Sequence, residues 1–158
     1  MKRLRRTRPD LILILVGALC FVAGLATFTF VRAEGHSYFS DDPDSCMNCH
    51  VMRDQYDAWG HSSHARVATC NDCHSSHDGV VSKLISKGIN GFNHSFAFTF
   101  NTYEETITIT EFNEDIVNDS CMYCHSELVS MIAPNHEDQE DELDCISCHA
   151  GIGHPVRK

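Results

Sequence analysis

Cysteine and histidine recur together four times along this chain, as Cys46-Met-Asn-Cys49-His50, Cys70-Asn-Asp-Cys73-His74, Cys121-Met-Tyr-Cys124-His125 and Cys145-Ile-Ser-Cys148-His149. These copies take eight of the nine cysteines, and the ninth, Cys20, lies in a long apolar run near the N-terminus. No other feature limits the fold so strongly. Two thiols at this spacing can add to the two vinyl groups of one haem, and the imidazole that follows can then reach the iron. Each copy therefore reads as one covalent haem c, four in all. Two other structures use the same cysteines. Twenty residues separate the Cys pairs within each pair of motifs, which suits a zinc ribbon. An exported domain of this size could instead close four disulfides. Either arrangement leaves a histidine idle after every second cysteine, whereas haem uses all four.

The motifs also repeat at larger scale: Cys46 to Cys121 and Cys70 to Cys145 are both offsets of 75 residues. The chain thus reads as two dihaem modules, about 36–100 and 101–158. Hydrophobic periodicity between the motifs is weak, so the macrocycles themselves are expected to form the core. The fold class expected is mainly α with low regular secondary structure, in short helices and loops. One longer helix is indicated where Val80, Val81, Leu84, Ile85, Ile89 and Phe92 follow near-helical spacing, with Asp78 as its cap and Gly88 and Gly91 as weak points. Thr106-Ile-Thr-Ile-Thr110 alternates like a strand, without a visible partner.

Ahead of the motifs, Lys2, Arg3, Arg5, Arg6 and Arg8 precede a stretch from Leu11 to Val31 that has no charge. Those 21 residues can cross a hydrocarbon core of ~30 Å at ~1.5 Å of rise per residue, with the basic cluster kept in the cytoplasm. The expected order is a basic cytoplasmic tail at 1–10, a transmembrane anchor at 11–31, and a tetrahaem domain at 32–158. That domain would lie in the periplasm or on the outer face of the cytoplasmic membrane. A cleaved signal ending near Val31-Arg32-Ala33 is the rival reading, but its apolar core would be unusually long. Cys20 inside the anchor reads as a packing residue. Within a chain of formal charge −10 the exported part is strongly acidic, because five of the twelve basic residues precede the anchor and only one acidic residue, Asp10, does. An acidic domain lacks the basic footprint that nucleic-acid binding needs.

A six-coordinate electron-transfer haem requires a second axial ligand. Of eleven histidines, seven lie outside the motifs: His36, His61, His64, His77, His94, His136 and His154. Each is a candidate ligand, against the plainer role of a surface or hydrogen-bonding histidine. His61 and His136 share the 75-residue offset of the motifs, and His64 lies close to His61. His154 follows His149 across Ala-Gly-Ile-Gly, a link flexible enough to let it turn toward another haem. Met52, two residues beyond His50, offers a thioether, a haem ligand that raises potential.

Taken together, one short anchor, paired haem motifs, the run Cys49-His50-Val51-Met52, the run Cys70-Asn-Asp-Cys73-His74 and the His149-to-His154 spacing resemble the NapC/NirT family of membrane-bound tetrahaem cytochromes c. Within it they resemble the small quinol-oxidising subunits of cytochrome c nitrite reductase. The resemblance implies Met52 as the ligand of the first haem, with His50 unbound and the other face open to quinol. It implies His74, His125 and His149 as proximal ligands of the second, third and fourth haems, His154 closing the second, and His64 or His61 closing the third. A family lysine near the quinol site corresponds to Lys87, in a Lys-x-x-x-Gly context, and an acidic position appears here as His94. His94 would accept a proton or ligate the first haem. The fourth haem would take either His136 or a lysine of the catalytic partner.

The function these features imply is oxidation of menaquinol at the membrane and electron delivery to a pentahaem cytochrome c nitrite reductase in a hetero-oligomer. Nitrite itself would be reduced in the partner. The alternatives are a quinol dehydrogenase serving another periplasmic reductase, such as one for nitrate, and a passive tethered carrier.

Overall fold

The computed structural model of the chain describes residues 8–103, 107–132 and 144–154, in two units that meet in sequence between Phe39 and Ser40. The first unit is dominated by helix α1, Pro9–Arg32, 24 residues with a mean hydropathy of 2.7 over its most apolar stretch. Proline in the first turn lacks only an N–H that a helix start leaves unpaired, and Arg8 pairs with Asp10 at 2.7 Å. No side chain of α1 is buried within the chain, and Thr27 Oγ1 donates back to the Ala23 carbonyl at 2.9 Å. The Thr27 hydroxyl is thus satisfied within the helix, as a lipid environment favours. After Arg32 the chain turns into a 3₁₀ helix at Gly35–Phe39. The ring of Phe30 fills the space a Cβ at Gly35 would need, so the turn requires glycine.

In the second unit, 3₁₀ turns at Pro43–Asn48 and His50–Met52 lead into α2, Arg53–Gly60, and a further 3₁₀ turn spans Ser63–Arg66. Helix α3, Cys70–His74, is the second motif and nothing more. Thr69 and Asp72 give it a capping box: the Thr69 N–H and hydroxyl both donate to Asp72 Oδ2, at 2.7 and 2.8 Å. Trp59 Nε1 donates to the Ala68 carbonyl at 3.0 Å and ties α2 to the approach to α3.

Helix α4, Val80–Phe100, follows the predicted periodicity and runs unbroken through Gly88 and Gly91. Its N-cap is Gly79, at φ +115, where a side chain would be strained, and not Asp78. Asp78 is turned instead toward Ser76, whose hydroxyl donates to Asp78 Oδ2 at 3.1 Å. Asn101 closes the helix in the left-handed conformation, sending its N–H to the Ala97 carbonyl.

The short helices expected around the third motif give way to one 22-residue helix, α5, Glu111–Ile132. No glycine or proline interrupts that segment, and Glu111 and Glu114 sit in its first turn, where the helix dipole favours them. Residues 107–110 have no regular structure, so the strand predicted there is not formed on them, and Thr106 lies outside the described residues. The alternation had no neighbouring strand to pair with. Asn90 on α4 and Asn113 on α5 exchange two amide hydrogen bonds, at 2.8 and 3.0 Å. Helix α6, Cys145–His149, is the fourth motif, capped by Asp144, which accepts from the Ser147 N–H at 3.1 Å.

Among the described residues, Ile116 is the one buried apolar side chain, and the other buried residues are Ser75, Ser86, Asn118 and Ser120. Burial of a single aliphatic side chain contributes roughly 1.5–3 kcal/mol. That cannot offset the chain entropy of ordering a domain. The polypeptide needs another apolar body to fold around, as four macrocycles would supply.

Candidate functional site

The four motifs occupy three kinds of backbone. The first spans the end of one 3₁₀ turn and the start of the next, through an extended Cys49; the second and fourth fill the five-residue helices α3 and α6; the third lies within α5. Within each module the first cysteines of the two motifs meet, Cys46 with Cys70 and Cys121 with Cys145. Cys46 and Cys70 share a thiol hydrogen bond that holds Cys46 down to about 7 and pushes Cys70 up. Burial, with the neighbouring Cys145, raises Cys121 to about 11. None of the eight motif cysteines is paired in a disulfide. Among the described residues no three Cys, His, Asp or Glu side chains converge as zinc-ribbon ligands would. A haem iron needs only two protein ligands, one on each face.

Two pairs of imidazoles meet that need. His74 and His154 face each other with ring centroids 5.9 Å apart and planes 14° from parallel, and His64 and His125 do so at 6.2 Å and 76°. Metal–imidazole bonds run to ~2.0–2.1 Å in zinc sites, so two rings trans across one metal have centres roughly 6 Å apart. Burial first, then the nearby charges of His154 and His94, hold His74 down to about 4, so it is neutral at physiological pH, the form that ligates metal. Nδ1 of His154 is buried without a hydrogen-bond partner. The side chains present fit haem on both counts.

The remaining candidates are placed differently. His61 lies in the cap of α2 with Nδ1 2.7 Å from the Asp57 carbonyl, and it is His64 whose ring faces His125. His77 donates from Nε2 to the Asp72 carbonyl at 2.8 Å and stacks on Tyr123 with centroids 4.2 Å apart. His50 and Met52 form the short 3₁₀ turn ahead of α2. His36 belongs to the first unit, in the turn after α1. His149 meets no facing imidazole among the described residues, and His136 lies outside them.

Lys87 and His94 are seven residues apart on α4, two turns along one face. His94 is drawn down by burial and lies near enough to His74 to affect its protonation. Lys87, with its side chain only 12% exposed, donates to Asp41 Oδ1 at 2.8 Å and to the Ser40 carbonyl at 3.3 Å. Its charge also helps lower Cys46, in the first motif. Lys83 reaches the other oxygen of Asp41 at 2.9 Å, and Asn71 Nδ2 donates to both Asp41 Oδ1 and the Ser40 carbonyl at 2.9 Å. Lys87 and then Lys83 hold Asp41 down to about 2. Sequence reasoning missed Asp41. It sits 46 residues from Lys87, in an acidic stretch with no periodic relation to α4.

Known proteins are similar to this chain over most of its length. Cytochrome c-type protein NrfH of Wolinella succinogenes is 36% identical over 90% of this chain and 86% of its own length. The tetraheme c-type cytochrome CymA of Shewanella oneidensis is 27% identical over 94% of this chain and 91% of its own. A chain in the crystal structure of a cytochrome c nitrite reductase NrfHA complex bound to the HQNO inhibitor superimposes with a TM-score of 0.63 at 28% identity, covering 92% of each chain. The family described as the NapC/NirT cytochrome c family, N-terminal region, matches residues 6–158. That span takes in the apolar helix, every haem motif and both imidazole pairs, and this chain belongs to the NapC/NirT cytochrome c family.

Proposed function

We propose that this chain is a membrane-anchored tetrahaem cytochrome c that oxidises menaquinol and delivers the electrons to a periplasmic cytochrome c nitrite reductase. The observation that carries this reading is the pair of imidazole couples, His74 with His154 and His64 with His125, each at the separation two ligands of one iron require. Haem iron supplies one-electron redox chemistry when bound. The eight motif cysteines would hold four such groups covalently. His74 and His154 would hold the second iron, His64 and His125 the third, and His149 the fourth, together with His136 or a partner lysine. Met52 would hold the first, on the quinol side of the chain.

Quinol loses two electrons and two protons on becoming quinone. The Lys87 ammonium, beside Cys46, offers a hydrogen bond to the quinol oxygen. His94, kept neutral by burial, accepts a proton at physiological pH. Helix α1 anchors the chain in the cytoplasmic membrane with Arg8 and the preceding basic residues inside and the haem domain outside. The likeness to NrfH and to the NrfHA complex supports the nitrite reductase as partner in a hetero-oligomer, above a nitrate reductase.

Anaerobic mixing of the detergent-extracted protein with a soluble menaquinol analogue tests the reading. Fast haem reduction should be blocked by HQNO and slowed about 10²-fold or more in Lys87→Gln, the scale of losing one electrostatic donor. Haem that dithionite reduces but quinol does not would mark a passive carrier.

A further inference from the structure

We infer that Asp41 is a positioning residue of the quinol site, its carboxylate fixing the Lys87 ammonium so that one N–H remains free for a quinol oxygen. The inference rests on the role proposed for Lys87. An ammonium has three donors, and Lys87 spends two, on Asp41 Oδ1 and the Ser40 carbonyl. A lysine stem is flexible, and a side chain only 12% exposed keeps one geometry only if its head is held. Asp41 is itself immobilised from two elements: Asn71 on α3 and Lys83 and Lys87 on α4 all donate to it.

Lys83 and Lys87 are four residues apart on one helix face, where like charges repel. The carboxylate between them converts that repulsion into two ion pairs, at 2.9 and 2.8 Å. Removing its charge would leave Lys87 driven away from Lys83 and out of the position from which it donates. Asp41 is not a proton acceptor for quinol, because both oxygens are engaged and the two lysines keep it ionised. Through Asn71, in the second motif, the clamp also joins the quinol side of the chain to the second haem. Holding Lys87 before quinol arrives reduces the ordering cost of binding, so the effect belongs in KM.

The test is steady-state quinol oxidation by the full haem-loaded protein in detergent. Asp41→Asn should raise KM for the quinol analogue about five- to tenfold, the scale of one hydrogen bond, at nearly constant kcat and unchanged haem content. Asp41→Asn combined with Lys87→Gln should be no worse than Lys87→Gln alone. An unchanged KM in Asp41→Asn, with Lys87→Gln impaired, overturns the inference and leaves the role of Lys87 standing. A fully active Lys87→Gln overturns both. If Asp41→Asn assembles too little haem, Asp41→Glu carries the test, since it keeps the charge and displaces it by one methylene. A raised KM in that variant supports positioning, and an unchanged KM overturns it.

Discussion

The two halves of the haem-bearing unit carry the same motif at the same internal spacing, but only their second motifs fold alike. Helices α3 and α6 are both five residues long, and each is capped by the residue immediately before its first cysteine, Thr69 or Asp144. The first motifs part company. Cys46–His50 threads through 3₁₀ turns between Pro43 and Met52, whereas Cys121–His125 is embedded in the continuous α5. Covalent attachment and axial ligation need only the local Cys-x-x-Cys-His geometry, so the surrounding backbone is free to serve other ends. In the first half an open, turn-rich backbone brings Asp41 and Met52 around the first motif. In the second, a rigid helix carries Asn118, whose Oδ1 accepts from the N–H groups of Cys145 and Ile146 at 3.0 and 3.4 Å and so fixes the start of α6. One half is arranged around a polar cluster, the other around the registration of two motifs.

The largest expected contrast comes from cutting each half. With Cys124→Ala the third haem is not retained. Quinol should still reduce the first two haems at near wild-type rate, while electron delivery to nitrite reductase falls to background. Stopped-flow spectra alongside nitrite turnover check this, and equal loss of both activities would dissolve the division between an input half and an output half.

Next is the buried Asn118, which has no counterpart in the first half. Asn118→Ala should cost about 1–3 kcal/mol by leaving two backbone donors of α6 unpaired, and should lower the yield of the fourth haem. Denaturant unfolding and haem quantification read the two effects. The equivalent probe in the first half, Thr69→Val, breaks the α3 capping box and should cost only about 1 kcal/mol, because Asp72 still accepts from the Thr69 backbone N–H. A larger loss at Thr69 than at Asn118 would reverse the assignment of the more rigid half.

The smallest effect is in acid. Asp41 is held below its ordinary 3.8, at about 2, so its ion pairs contribute stability that is complete above pH ~4 and disappears as pH falls through about 2. Its side chain is half exposed, and solvent screening limits the contribution to under about 1 kcal/mol. Melting temperatures measured between pH 5 and 2 should therefore fall slightly more steeply in wild type than in Asp41→Asn.

The four Cys-x-x-Cys-His motifs were legible because covalent chemistry imposes a fixed local spacing, and the apolar helix because bilayer thickness imposes a minimum length. The helix α4 was legible for the same kind of reason, helical periodicity. Its cap was misread: aspartate is a favoured cap residue, but the turn into α4 requires a positive φ that Gly79 alone supplies. The continuity of α5 was under-read, since its pattern lacks a clear apolar stripe and its order comes from packing on α3 and α6.

By itself the sequence determined the four Cys-x-x-Cys-His motifs, their 75-residue repeat and one membrane-length helix, since each of these follows from spacing along the chain. Which imidazoles face each other, and that Asp41 clamps Lys87, were decided only by the tertiary structure. His64 lies 61 residues from His125, His74 lies 80 from His154, and Asp41 lies 46 from Lys87. Contacts at such separations leave no periodic trace in the sequence, because only the tertiary fold brings those side chains together.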